Sequence, residues 1–266
     1  MIRRVLKMYP ALLRVGLAEA VAYRAEFVVW MLTTTLPLVM LALWTAVARE
    51  GAFQGFTRDD FIAYYLATYV VRTVTSSWVV WEMNHEIRTG SLSMRLLRPI
   101  HPFLAYSAEH LAAIPLRALI ALPMAAVLLI TTSAERLVRD PVLIALLPVI
   151  LLGTWLITFL AMLLIGTLGL FMERSIAVFE VWLGVFALMS GYLMPLKFMP
   201  GWLRGVSSWL PFRYMLAFPV ELGIGMLPRD EGLRQLATQW TWVAVLFLGV
   251  VVLWRAGLRR FEAYGA

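Results

Sequence analysis

The 266-residue sequence has no cysteine, three histidines and little charge, Asp, Glu, Lys and Arg together making up 15% of it. A soluble domain carries nearer a quarter charged residues, and so few cannot cover the surface of a water-soluble chain of this size. A soluble globule is therefore excluded. The lack of cysteine removes disulfide scaffolds, thiolate metal sites and thiol nucleophiles. Disorder and collagen-like structure fall to the opposite abundance, 62% of the residues being hydrophobic. What remains is an all-α polytopic membrane protein.

Catalytic signatures are also missing. His85-Glu86 would begin a zinc-protease helix, but Thr89 stands where the second histidine is needed. Ser190-Gly191 lacks the flanking glycine of a nucleophile elbow. His85, His101 and His110 have no ligand spacing, so no metal site is expected. No G-x-x-x-x-G-K-[ST] occurs, so ATP is not bound here through a P-loop. The chain does not read as an enzyme. Its net charge of +7, from 23 Lys and Arg against 16 Asp and Glu, would suggest nucleic acid on a soluble scaffold. No basic patch is interleaved with aromatics in that way, and cytoplasmic loops and anionic headgroups account for the excess.

Runs of roughly 20 apolar residues mark helices that cross the hydrocarbon core. Six are predicted, at about 27–48, 61–81, 111–132, 142–170, 176–194 and 240–254, leaving no room for a separate soluble domain. Basic residues set the orientation. Arg3, Arg4, Lys7, Arg14 and Arg24, then Arg88, Arg95 and Arg98, then Arg174, Arg255, Arg259 and Arg260 fall on one side and outnumber those opposite. Both termini are therefore expected in the cytoplasm. The N-terminus does not read as a signal peptide, since its first strong apolar run starts near Phe27. Residues 2–21 instead pattern as an amphipathic helix, Leu12, Leu13 and Leu17 on one face and Arg3, Arg4, Lys7 and Arg14 on the other. It serves either as a cationic anchor or as a lever between the first span and a cytoplasmic partner.

Two connecting regions are unusual. Between spans two and three, Gly90 reads as a helix stop and Ser91 as the cap of a short amphipathic helix with Leu92, Leu96, Leu97, Arg95 and Arg98, ended by Pro99 and Pro102. Such a helix at the cytoplasmic surface is either a docking element or a basic loop held to headgroups. From Pro195 to Gly225 the chain is apolar but cut by Pro200, Pro211 and Pro219. Non-helical backbone survives at membrane depth only where protein or water satisfies it. Two half-helices that dip into the outer leaflet and return are predicted, with Tyr214 and the tryptophans at the interface; a plain outer loop is the alternative. Within the spans, Arg72 stands beside Thr75 and Ser76, either paired in the bundle with Glu180 or Glu221 or lining a substrate path. His110 and Arg117, near the end of span three, are expected to snorkel.

In order and position, several segments together resemble the membrane subunit of an ABC-2 type ABC exporter, a permease. They are the N-terminal helix, Ala22-Tyr-Arg-Ala-Glu-Phe27, Ser76-Ser-Trp-Val-Val-Trp-Glu82, Glu86-Ile-Arg-Thr-Gly-Ser-Leu92, Leu96-Leu-Arg-Pro99 and Leu210-Pro-Phe-Arg-Tyr214. The 82–99 pattern is most similar to a poorly characterised bacterial branch. The resemblance covers essentially all of 1–266 as a single permease domain. It implies a connecting helix at 1–25 carrying Arg3, Arg4, Lys7 and Arg14. It implies a coupling segment at 82–102 that meets an ATPase through Glu86, Arg88, Gly90, Leu97, Arg98 and Pro99. A re-entrant segment follows at 195–225 with Pro211, Tyr214, Pro219 and Glu221, and Arg72, Thr75 and Ser76 stay candidates for the translocation path beside the structural alternative. The implied partners are a separate nucleotide-binding ATPase subunit, a second copy of the chain or a related permease, and membrane lipids. No cofactor is implied on this chain, ATP and Mg belonging to the ATPase, and the implied location is the bacterial plasma (inner) membrane. Two other classes compete. An ion-coupled secondary transporter requires acidic residues within spans, for which Glu180 is the one candidate; a membrane-embedded lipid-modifying enzyme requires clustered carboxylates or histidines.

Overall fold

The computed structural model describes residues 2–22, 33–131 and 136–261, and among them every extended element is a helix. In chain order these are α1 (Ile2–Ala22), α2 (Leu36–Val47), α3 (Arg58–Thr75), α4 (Val79–Thr89), α5 (Leu92–Leu96), α6 (Pro102–Ala112) and α7 (Ile114–Thr131). They continue with α8 (Pro141–Thr167), α9 (Ser175–Met189), α10 (Gly201–Trp209), α11 (Pro211–Met215), α12 (Ala217–Gly223) and α13 (Arg229–Leu258).

Three stretches are both long and apolar enough to cross a membrane: Pro102–Thr131, Pro141–Leu170 and Arg229–Leu258. The middle one, built on α8, is the hub. Of its most apolar window 44% is buried, against 17% and 11% for the other two. It packs along α13 and α4 and also meets α3, α9, α11 and α12. The flanking helices turn Leu119, Leu122 and Ile130 of α7 and Phe247, Leu248 and Val252 of α13 outward, more than half exposed. Long helices with bare aliphatic faces are at home against lipid tails, where such surface carries no hydration penalty. The chain is an integral membrane protein.

The predicted spans fare differently. The fourth matches α8 with the helical turn Leu168–Leu170 behind it. The third lies mostly on α7, separated from α6 by Ala113. The first falls partly on residues outside those described; its remainder is α2, only 12 residues long. The second is not continuous. Thr57 and Asp60 form a capping box that starts α3, but the helix stops after 18 residues, about 27 Å, at Ser76 in an extended conformation, and resumes as α4. Thr73, Thr75, Ser76 and Ser77 are poor helix formers, stiff at χ1 or prone to bond the backbone, so the break falls where propensity is weakest. The fifth is short, α9 having 15 residues. It ends at Met189, and two residues on Gly191 takes a φ of +85° while the Tyr64 hydroxyl donates to its carbonyl at 2.9 Å. The sixth runs longer than hydropathy suggests, because α13 begins at Arg229 with a polar half whose side chains hold the preceding segment.

Two apolar clusters fill the interior. One gathers Phe61, Tyr64, Tyr65, Phe186, Phe218 and Ile150 around α11 and α12. The other gathers Val79, Met83, Leu92, Tyr106, Phe159 and Trp254 around α4 and the lower half of α8. Helix α1 lies along α6, where buried Gly16 meets Ala112 and the Glu109 backbone and Tyr9 shares a 2.9 Å hydrogen bond with Ser107.

Candidate functional site

Helix α4 places Glu82 and Glu86 one turn apart on one face. Gly90, with φ of +75°, ends the helix in the left-handed region that a side chain resists, and the chain turns back as α5. Ser91 makes no side-chain cap; its hydroxyl pairs with that of Thr89 at 2.9 Å. The turn carries Arg95 back over α4. Its guanidinium reaches Glu86 at 2.6 Å, Glu82 at 2.9 Å and Glu109 of α6 at 3.0 Å, and lies 4.1 Å above the Tyr106 ring. The Tyr106 hydroxyl donates to the Glu86 carboxylate at 2.6 Å, and His110 stands 3.6 Å from Glu82. Burial pushes the Glu82 carboxyl above the usual range, opposed by Arg95. One cation thus clamps three elements into a rigid unit, and Asn84 ties it to the start of α9 through Ser175 at 2.6 Å.

What the unit presents outward differs from what holds it. Arg88, Arg98, Pro99, Met94 and Leu97 are exposed, Leu97 at 79%. Of the coupling residues named from the sequence, Arg88, Leu97, Arg98 and Pro99 therefore share the open face and Gly90 makes the turn. Glu86 is used internally. Sequence reasoning missed Arg95 as the centre, with Glu82, Tyr106 and Glu109 around it. The signal was available: Glu82/Glu86 and Tyr106/Glu109/His110 recur at the spacing that puts charges on one helical face.

A second group sits where α3 breaks. Arg72 is 7% exposed, with the Phe186, Trp78 and Tyr192 rings 5.2, 5.9 and 6.0 Å from its guanidinium. Neither expected counter-ion reaches it. Glu221 is taken by Arg213 at 2.5 Å, and Glu180 is exposed on α9. Arg117 is 5% exposed and donates to the Ser76 carbonyl, which the break leaves without a helical partner. Buried Arg117, and His110 with only 11% of its side chain exposed, thus overturn the expectation that both snorkel: a broken helix needs donors at its free carbonyls, and Arg117 is one. Thr75 and Ser76 are buried and bond back to Val71 and Thr73 of their own helix.

The segment at 195–225 forms three short helices rather than two. Pro211 starts α11; Tyr214 donates to the Ser208 carbonyl at 3.1 Å; Pro219 and Glu221 lie in α12, buried along its length against α3 and α8. Gln239 of α13, wholly buried, donates to the Ile150 carbonyl of α8 at 3.1 Å and, with the Thr154 hydroxyl, to the Tyr214 carbonyl of α11 at 3.3 Å, tying the two elements together. Of the connecting-helix residues, Arg14 is exposed, whereas the side chains of Arg3, Arg4 and Lys7 lie outside those described.

The family described as ABC-2 family transporter protein has a sequence model that matches residues 5–265, nearly the whole chain. The chain belongs to that family. No curated protein matches it. As a family member this ABC-2 protein is the membrane subunit of an ABC transporter, which implies an ABC ATPase as partner. Among the described residues no cluster of His, Cys, Asp or Glu is arranged to hold a metal ion.

Proposed function

We propose that this ABC-2 protein is the transmembrane subunit of an exporter, working as a dimer with itself or a related permease and driven by separate ATPase subunits that carry ATP and Mg. The open face of the Arg95-clamped unit is the observation that carries this reading. An exposed Leu97 and Met94 beside Arg88 and Arg98 is an apolar knob with a basic rim. That is the composition of a docking surface, and it stands on a clamp stiff enough to transmit displacement. In this role Glu86 positions the surface through Arg95 and does not touch the ATPase. Because α4 packs on α8 and Asn84 on Ser175, a push on the tip moves the hub and α9 together.

The remaining assignments follow from the same reading. Six spans, with both termini in the cytoplasm of a bacterial inner membrane, set α4–α5 on the ATPase side. The α10–α12 segment re-enters from the outer leaflet, where exposed Trp202 and Trp209 suit the headgroup boundary. Helix α1, seated along α6 beside Glu109, joins the clamp to the membrane surface. The deciding experiment is gentle solubilisation of the tagged chain with its neighbouring proteins. An ATPase carrying a P-loop is expected to co-purify with the wild type and to be lost with Leu97→Asp/Arg98→Glu. A complex that survives the double substitution overturns the docking assignment, and absence of any ATPase from the wild-type preparation overturns the function.

A further inference from the structure

The break between α3 and α4 holds two arginines that no carboxylate answers. Among the described residues neither Arg72 nor Arg117 has an ion pair, although both are more than nine-tenths buried. Arg117 reaches the Ser76 carbonyl, one turn beyond Arg72 at the end of the same helix. The Nε of Arg72 has no hydrogen-bond partner. The three surrounding rings attract the cation but accept none of its N–H groups in the way an oxygen does. Its polar neighbour is the Tyr192 hydroxyl, which carries no charge. One turn earlier on its own face the hydroxyl of Thr68 is buried and unpartnered too, and so, further along the break, are those of Thr73 and Ser77.

An arrangement of this kind opposes folding unless something compensates it. Two like charges together, without an anion and away from bulk water, are each costly, and each unpaired donor adds to the cost. A structural role explains Arg117, which caps a free carbonyl. It does not explain Arg72, whose Nε is idle, nor the idle hydroxyls beside it. The complement of two guanidinium groups fringed by hydroxyl donors is a doubly charged tetrahedral oxyanion, with enough oxygens to occupy several donors at once.

We propose that Arg72 and Arg117 bind the phosphate group of the transported molecule, so that the cargo is a phosphorylated compound admitted when Trp78, Phe186 and Tyr192 part. The assignment rests on the reading of the chain as a permease and names the chemical class of its cargo. Trp78 stands in the break between α3 and the docking unit, so a displacement of α4 by the ATPase would move this ring away from Arg72. The group is either carried on a lipid or free as a water-soluble phosphate, and the probes separate the two.

The test is calorimetric titration of the full chain in dodecyl maltoside, a phosphate-free detergent, with dioctanoyl phosphatidic acid, inorganic phosphate and dioctanoyl phosphatidylcholine. Saturable binding of phosphatidic acid or of phosphate is expected, at least roughly tenfold tighter than phosphatidylcholine, the scale of one charge-assisted hydrogen bond. Phosphatidic acid alone identifies a lipid-borne group, and competition by inorganic phosphate a free one. Arg72→Gln is expected to weaken binding by roughly tenfold or more, and Arg72→Lys by less, since it keeps the charge but loses the planar fork. Failure of both anions to bind the wild type, or equal binding of phosphatidylcholine, overturns the proposal without recourse to any variant. So does a folded Arg72→Gln chain that binds like the wild type. These outcomes are independent of the permease reading, which stands or falls on co-purification of the ATPase.

Discussion

Replacing Arg95 by Met removes the one cation shared by Glu82, Glu86 and Glu109 and keeps the length and apolar stem of the side chain. Arg95 and Glu86 have 11% and 14% of their side chains exposed, so this pair is close to the buried limit, where removing one partner costs about 3–5 kcal/mol. Glu82 and Glu109, at 35% and 29%, are partly hydrated, and their pairs add about 0–1 kcal/mol each. A ceiling comes from proton uptake: neutralising an ordinary glutamate at pH 7 costs about 3.7 kcal/mol, so the stranded carboxylates protonate rather than exceed it. The expected loss is therefore about 3–4 kcal/mol, and it is local to the clamp. Amide hydrogen exchange of α4 and α5 reads this directly, protection falling roughly 10²–10³-fold relative to wild type. The deficit has a defined pH dependence. A carboxylate that has lost its cation has a raised folded-state pKa, so the variant regains stability as pH falls and loses it as pH rises. At pH 5 the proton costs only about 1 kcal/mol, and the difference from wild type shrinks to about tenfold or less. A change in protection below about threefold at pH 7, or a deficit that is flat between pH 5 and 7, would refute the clamp.

Three further outcomes follow from separate parts of the fold. Leu97→Asp/Arg98→Glu, on the open face, is expected to leave wild-type exchange protection in α4 while abolishing ATPase co-purification; reduced protection would mean the tip is structural. Gly191→Ala adds a Cβ 2.5 Å from the Tyr64 hydroxyl at a φ of +85°, so a loss of about 2 kcal/mol or more is expected as a lowered thermal midpoint in detergent. Gly184→Ala, in α9 with nothing within 4 Å, is the control and should be neutral or slightly stabilising. Gln239→Leu removes its hydrogen bonds to the Ile150 and Tyr214 carbonyls, the latter still held by the Thr154 hydroxyl, and should cost about 0.5–1.5 kcal/mol by the same measurement.

Much of the helical framework was legible in advance because hydropathy acts on windows of about 20 residues and needs no partner. Residues 142–170 show this, matching α8 and its terminal turn. Gly90 was legible too, because a left-handed turn selects glycine locally. The second span misled, because composition over residues 61–81 averages across the break that Ser76 makes and Arg117 supports. The sixth reads short because Arg229–Gln239 is polar, and only its neighbours reveal that Gln235 accepts from Arg213 and Gln239 donates to the Tyr214 carbonyl, both on α11.

The sequence by itself determined the solvent. With few charges, no cysteine and long apolar runs, the chain belongs in a bilayer. It also determined the family, which is a property of the order of residues. Only the tertiary structure decided which charges face outward and which hold the fold. Glu86 and Arg88 are two residues apart and indistinguishable by composition, yet one lies inside the Arg95 clamp and the other is exposed. Likewise Arg72 was visible as a charge inside a span, but that Glu221 is committed to Arg213 and leaves Arg72 without an anion is a fact about distance in space. Electrostatic pairing acts over a few ångströms between segments far apart in the chain, and no local pattern encodes that.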